Sequence, residues 1–68
     1  MENITLHVSG MTCNHCVKAI EGSVGRLDGV DKVAVHLDKG EVVVEFDSNV
    51  ISLAAIKDTI DDQGYDVN

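Results

Sequence analysis

Apolar and polar residues alternate along three stretches of the chain, which predicts β-strands that are covered on one face. In the first stretch, residues 3–9, the apolar positions are Ile4, Leu6 and Val8, and Gly10 ends the strand. The next two stretches, residues 31–37 and 41–46, have their apolar positions at Val33, Val35, Leu37, Val42, Val44 and Phe46. The Asp-Lys-Gly sequence at 38–40 predicts a tight turn, so these two strands form a hairpin.

Between the first two strands the apolar residues take the three-or-four spacing of an amphipathic helix. The stripe comprises Val17, Ile20, Val24 and Leu27, with Cys16 and Ala19 at its edge. We expect the helix to begin at about residue 14, because Thr12 and Asn14 are both suitable N-cap residues. Gly25 or Gly29 marks its end.

A second helical stretch follows the hairpin. Ser52 is its expected N-cap and Gly64 its expected C-cap, and its apolar stripe comprises Leu53, Ile56 and Ile60. Residues 65–67 form a short last strand. The resulting order, β-α-β-β-α-β, is that of the split βαβ motif. We therefore expect an α+β, ferredoxin-like sandwich, with a four-stranded antiparallel sheet and two helices on one face, formed by a single domain over residues 1–68.

The charge and the apolar runs exclude some classes of partner. Lys and Arg number 5 against 12 Asp and Glu, a net charge of −7. Nucleic acid is not expected, because phosphate contacts need clustered cations. Direct membrane insertion is not expected, because no apolar run approaches the ~18 residues that span a bilayer. The first residues also lack a secretory signal pattern. We therefore expect a cytoplasmic protein, whose thiols stay reduced.

The chain has 2 cysteines, Cys13 and Cys16, in the stretch GMTCNHC at residues 10–16. The predicted elements place Cys13 in the loop after the first strand and Cys16 in the first turn of the first helix. A helix N-terminus favours a thiolate over a thiol. Two adjacent thiolates are suitable ligands for a soft metal ion, and monovalent copper is content with few sulfur ligands.

The residues around the cysteine pair disfavour three other uses of it. A thioredoxin-type dithiol oxidoreductase is disfavoured because the chain has no proline, and hence no cis-proline to face a disulfide. A closed zinc site needs four ligands, and His7 and His36 lie on strands without paired spacing and are expected to face solvent. A structural disulfide would close a very short loop and add little stability. A zinc or cadmium carrier remains an alternative.

The motif and its setting resemble the heavy-metal-associated domain family. The likeness runs from ITLHVSGMTCNHC through LDGV and VEF to DQGYDV, and is greatest with the small bacterial copper chaperones. It implies a non-enzymatic Cu(I) carrier that delivers copper to the N-terminal domains of a copper-transporting P-type ATPase. In some relatives it also implies delivery to a copper-responsive repressor. One metal-binding domain of such an ATPase is the alternative; the start at Met1 and the compact end at Asn68 favour a free protein.

The resemblance also implies roles for particular residues. Cys13 and Cys16 match the metal ligands of the family. Further residues are expected to shape or tune the site: Met11, Thr12, His15 and Tyr65. Met11 matches a methionine that packs into the core. His15 is either a solvated residue of the first helical turn or stabilises the thiolates. Tyr65 matches a tyrosine beside the metal loop, and packing of the last strand is its alternative role. Thr12 stands where zinc and cadmium domains tend to carry an acid. Copper bridging two chains in a homodimer is also expected, because each chain leaves room for additional sulfur.

Overall fold

The computed structural model of the protein describes residues 1–11 and 14–67. Strands and helices follow the order that the hydrophobic pattern predicts, with one short 3-10 turn added at Leu37–Lys39. The elements are β1 (Glu2–Ser9), α1 (Asn14–Gly25), β2 (Val30–His36), β3 (Glu41–Phe46), α2 (Leu53–Asp62) and β4 (Asp66–Val67). No helix in the described part of the chain is long and apolar enough to cross a membrane.

The strands form one antiparallel sheet of 4 strands in the order β2-β3-β1-β4. The central pair β1 and β3 is in register from Glu2 opposite Phe46 to His7 opposite Glu41. Strand β4 is short and pairs only with the end of β1, where Val8 lies opposite Val67. The predicted α+β, ferredoxin-like arrangement is confirmed.

The core lies between the inner face of the sheet and the two helices. Its buried side chains are aliphatic apart from one phenylalanine: Leu6, Val8, Ile20, Val24, Val42, Val44, Phe46, Ile56 and Ile60. Alternate residues of β1 and β3 supply the sheet side, because successive strand residues point to opposite faces. Ile20 and Val24 of α1, with Ile56 and Ile60 of α2, supply the helix side, so both helices cover the same face. The opposite face of the sheet carries the other half of each alternation, which is mostly polar but includes Ala34 and Val43.

Two leucines differ from the predicted pattern. Leu37 was expected on the covered face of β2, but the strand ends at His36 and Leu37 begins the 3-10 turn. Leu53 was expected in the apolar stripe of α2, yet 36% of it is exposed. Leu53 is the first residue of α2. Its position is therefore set by where the helix starts, and the stripe that contacts the core begins one turn later, at Ile56.

The helix ends follow the predicted signals closely. The Ser52 hydroxyl accepts a hydrogen bond from the backbone N–H of Ala55 at 3.2 Å, which confirms it as the N-cap of α2. The C-cap of α2 is Gln63 rather than Gly64, and Gly64 follows it with φ 93°. A glycine in this position reverses the chain without a side-chain clash. At the other helix, α1 ends at Gly25, and Leu27 packs against the core from beyond the helix end.

The hairpin between β2 and β3 is fastened to β1 close to the cysteine motif. Gly40 has φ 64°, as the predicted turn requires, and its carbonyl accepts a hydrogen bond from the Val8 backbone N–H at 2.8 Å. A Cβ at Gly40 would lie 3.2 Å from the Val8 carbonyl oxygen, so a side chain there would be crowded. The hairpin and the last residues of β1 are therefore held together where the chain enters the motif.

Candidate metal centre

Cys16 is the third residue of α1 and is half-buried. The first turn of α1 contains no acidic residue that would repel a thiolate. The N-terminus of a helix also carries a partial positive charge from the aligned backbone dipoles. A cysteine at such a helix start is in general favoured as the thiolate, the form that binds metal. The second predicted ligand, Cys13, lies outside the described residues, as does Thr12.

Met11 lies one residue beyond Gly10 and is half-buried. It packs against the core cluster, next to the end of β1. The packing predicted for Met11 is therefore confirmed. Methionine is well suited to such packing, because its flexible side chain adapts to irregular surroundings. Whether Met11 also alters metal binding stays a prediction.

Tyr65 lies beside the start of the motif, on the other side of Gly10. The residue is half-buried and packs against the core. Gly10 has φ 95°, and a Cβ built on it would lie 3.5 Å from Cδ1 of the Tyr65 ring. The aromatic ring therefore rests against the backbone where β1 gives way to the cysteine loop. The structure brings Tyr65 to Gly10 although 54 residues lie between them in the sequence.

Asn14 and His15 open α1 and are both exposed. Asn14 was one of two predicted N-caps, but it is the first residue inside the helix; Thr12, the other candidate, is not among the described residues. His15 directly precedes Cys16 in the sequence and projects into solvent. Its predicted influence on the thiolates is untested by this geometry.

The described residues of the motif lie at one end of the sheet, and a surface cavity lies at the other. That cavity is lined by Met1, Gly29, Val30, Asp31, Asp47 and Val50. Met1 precedes the beginning of β1, whereas the cysteine motif follows its end. The part of the candidate centre that the structure describes, at the start of α1, is therefore separate from this cavity.

The hairpin has a part in this end of the sheet that the sequence pattern did not predict. Gly40 was read only as a turn residue, and the bond from Val8 to its carbonyl was not expected. The one sign of this contact in the sequence was the Asp-Lys-Gly turn, which places Gly40 directly before β3. Register between β1 and β3 was needed to see that this glycine meets Val8, and alternation alone does not specify that register.

Comparison with known proteins agrees with this geometry. The heavy-metal-associated domain model matches residues 5–66. The copper chaperone CopZ of Bacillus subtilis is 58% identical over 67 residues, which cover 98% of this chain and 97% of that protein. The solution structure of a putative copper-ion-binding protein from Bacillus anthracis is 54% identical, with a TM-score of 0.96 over 98% of this chain and 94% of that one.

A copper-binding domain from HMA7, a P-type ATPase, is also similar. It is 34% identical, with a TM-score of 0.97, over 100% of this chain and 92% of that one. Chaperones and ATPase domains thus share this fold and size. The match of the family model to most of the chain, with the identity to the B. subtilis protein, establishes that the chain belongs to the heavy-metal-associated domain family.

Proposed function

We propose that the protein is a copper chaperone, a carrier that binds Cu(I) through Cys13 and Cys16 and passes it to the metal-binding domains of a copper-transporting P-type ATPase. The observation that carries the proposal is the 58% identity to the B. subtilis copper chaperone over nearly the full length of both chains. The position of Cys16, half-buried in the acid-free first turn of α1, supports it.

The chemistry of the donor set favours the monovalent ion. Cu(I) is soft and accepts thiolate ligands, and it does not require the four-ligand tetrahedral cage that structural zinc sites provide. The sequence supplies 2 cysteines and no more. A pair of thiolates at a surface loop therefore satisfies Cu(I) while leaving its coordination open to a further sulfur.

Open coordination gives a route for transfer. A thiol of the acceptor domain loses its proton and its sulfur forms a bond to copper while both chaperone cysteines are still bound. One chaperone sulfur then leaves and takes up a proton, and a second acceptor sulfur replaces the other. Copper stays monovalent throughout, so no electron acceptor is needed. The exchange needs reduced thiols, a condition that the cytoplasm provides.

Metal competition under anaerobic conditions tests the binding part of the proposal. The protein is titrated with Cu(I), Zn(II) and Cd(II) against chelators of known affinity, and we expect Cu(I) to displace the divalent ions at one equivalent. Retention of zinc or cadmium against stoichiometric Cu(I) would instead identify a zinc or cadmium carrier. An insulin-reduction assay on the same sample tests the oxidoreductase alternative, for which we expect no turnover.

Transfer is tested separately. The copper-loaded chain is mixed with an isolated metal-binding domain of a copper ATPase, and the two are separated by ion exchange. We expect copper to be distributed between both proteins within the mixing time. A copper-responsive repressor domain can replace the ATPase domain in the same assay. Copper that stays on the chain in the presence of excess acceptor would refute delivery while leaving the binding proposal intact.

The likeness to the HMA7 domain favours one alternative, in which this sequence is a metal-binding domain of an ATPase. The two functions share the site and differ in whether the domain continues into a membrane protein. Sequencing the gene on both sides of residues 1–68 distinguishes them. A stop codon after Asn68 supports the free chaperone, and an open frame into membrane-spanning segments supports the ATPase.

Copper-bridged pairing is a further part of the proposal. Two chains bring four thiolates, enough to hold more than one Cu(I). We expect sedimentation at rising copper-to-protein ratio to show a dimer once copper exceeds one equivalent. A mass that stays monomeric throughout would refute the bridge.

A further inference from the structure

Three side chains with metal-binding groups lie side by side on the sheet face that the helices do not cover. His7 of β1 is directly opposite Glu41 of β3, and His36 of β2 is directly opposite the same Glu41. The three residues therefore form one row across three adjacent strands, with the carboxylate between two imidazoles. His7 and His36 are exposed and Glu41 is half-buried, so the row is open to solvent.

The other rows of this face lack the same combination. One row joins Thr5, Val43 and Ala34, which offer no imidazole or carboxylate. Another joins Asn3, Glu45 and Lys32, where the glutamate faces a lysine. The row of His7, Glu41 and His36 is thus the one of these three with several ligating groups and no cation within it. The net charge of −7 further favours a cation at this surface.

Cross-strand geometry brings the three groups within reach of one ion. Directly opposite residues have Cβ atoms about 4.5–5.5 Å apart, so both imidazoles need only lean toward the central carboxylate. Within residues 1–11 and 14–67 no three His, Cys, Asp or Glu side chains already converge on one metal position. Binding therefore requires the exposed histidines to rotate. The entropic cost of fixing them predicts a weak site.

We propose that His7, Glu41 and His36 form a second, low-affinity site for a borderline divalent cation such as Zn²⁺. Two imidazoles and one carboxylate are a donor set that zinc accepts with water in the remaining position. This site differs from the cysteine pair in ligand type, which is hard to borderline rather than soft. It also lies on the opposite side of the sheet from α1, which carries Cys16. It makes the surface of this chain sensitive to divalent metal independently of its cysteines.

The test uses the full chain with Cys13→Ser and Cys16→Ser, so that zinc binding at the cysteines does not contribute. Its fold is checked by circular dichroism. Zn²⁺ alone is titrated by isothermal titration calorimetry, and the histidine ring signals are followed by NMR. We expect one equivalent to bind, with the His7 and His36 signals shifting together at one midpoint. The signal of His15, which lies outside the row, should not move with them.

Matched variants in this background decide whether the row is responsible. His7→Gln, His36→Gln and Glu41→Gln should each weaken zinc binding at least about tenfold, the lower end of the loss caused by removing even an outer partner of a metal. Glu45→Gln is the control, since Glu45 lies on the same face of β3, also half-buried, and faces no histidine. It should change binding by less than about twofold.

Several results would overturn the proposal. These are the absence of zinc binding, separate midpoints for His7 and His36, or equal losses in Glu41→Gln and Glu45→Gln. Sedimentation with zinc tests whether two chains share the ion. A doubled mass would show that they do, and that the row is not a site on its own. None of these outcomes bears on copper, since the background variant lacks both cysteines.

Discussion

The two helices begin in different ways although they pack side by side on the same sheet. At α2 the Ser52 hydroxyl accepts a hydrogen bond from the Ala55 N–H and so satisfies a group left unpaired by the helix start. At α1 the residue directly before the helix is Cys13, and Cys16 lies within the first turn. In the sequence, a cysteine therefore precedes α1 where a serine precedes α2.

Under the proposed function, this difference gives separate tasks to the two helix starts. A capped N-terminus contributes to folding stability and leaves little of its positive end for chemistry. An N-terminus next to two cysteines and without acids can instead stabilise thiolates that bind and release an ion. The comparison predicts that changes at α1 alter metal binding with small effects on folding, and that changes at α2 do the opposite.

The largest effect is expected from Cys13→Ser or Cys16→Ser. Serine offers a hard oxygen in place of a soft thiolate, so Cu(I) affinity should fall more than about a hundredfold. The free energy of unfolding of the metal-free protein should change little, because Cys16 is only half-buried. Chelator competition measures the first quantity, and urea unfolding the second. Loss of the helical circular dichroism signal in either variant would show that the pair is structural.

The next effect concerns two glycines with the same backbone angle at opposite ends of the sheet. Gly10 and Gly29 both have φ 95°, so alanine at either should cost about 1–2 kcal/mol in backbone strain. At Gly29 the added Cβ would also lie 2.9 Å from side-chain atoms of Val50 and Ile51, so the loss should be larger. Thermal unfolding measures both.

Copper binding separates these two variants. Gly10→Ala places a methyl group against the Tyr65 ring beside the cysteine loop, so it should weaken Cu(I) binding. Gly29→Ala serves as the control, since it should destabilise the fold without altering the metal-loaded state. Equal copper affinities in the two variants would contradict a role for Gly10 and Tyr65 in positioning the loop.

A smaller effect is expected at the start of α2. Ser52→Ala removes the capping oxygen and should lower the free energy of unfolding by about 1 kcal/mol. Cu(I) affinity should stay at the value of the parent protein. Ser48→Ala, at an exposed position in the connection before α2, is the matched control and should be neutral. A lower Cu(I) affinity of Ser52→Ala would contradict the proposed separation of folding and metal binding between the two helix starts.

The smallest effect is expected from His15→Gln. His15 is exposed, and an interaction through water between its ring and a thiolate is weak, so Cu(I) affinity should change by less than about fivefold. The measurement is the same chelator competition, repeated at low and high salt. A loss close to that of the cysteine variants would instead indicate that His15 is a ligand.

The sequence predicted the order of elements because each element keeps one period along its length. Ile4, Leu6 and Val8 alternate, while Ile20 and Val24 follow a helical spacing, and these residues indeed face the core or pack against it. The predicted positions of Leu37 and Leu53 were wrong because both residues lie at the boundary of an element. There the turn or helix start decides the direction of the side chain, and hydrophobicity carries little information about it.

For the candidate site, the sequence could predict the positions of residues within one element, but not the contacts between elements. The sequence alone placed Cys16 in the first turn of α1, since the helical period begins next to it. The contact between Tyr65 and Gly10, and the row formed by His7, Glu41 and His36, depend on strand pairing. Pairing joins distant parts of the chain, and a single sequence specifies it only through the complete packed sheet. Tyr65 was placed beforehand by family resemblance, and the histidine row was not anticipated.

The bond from the Val8 N–H to the Gly40 carbonyl gives the entry to the cysteine motif a built-in reporter. A buried strand amide of this kind exchanges its hydrogen with solvent only when the local structure opens. If copper loading or transfer disturbs only the loop, the Val8 amide will keep its slow exchange rate. If the disturbance extends into the sheet, the rate will rise. The exchange rate of the Val8 amide therefore shows whether the release of an ion changes only the loop or also the sheet.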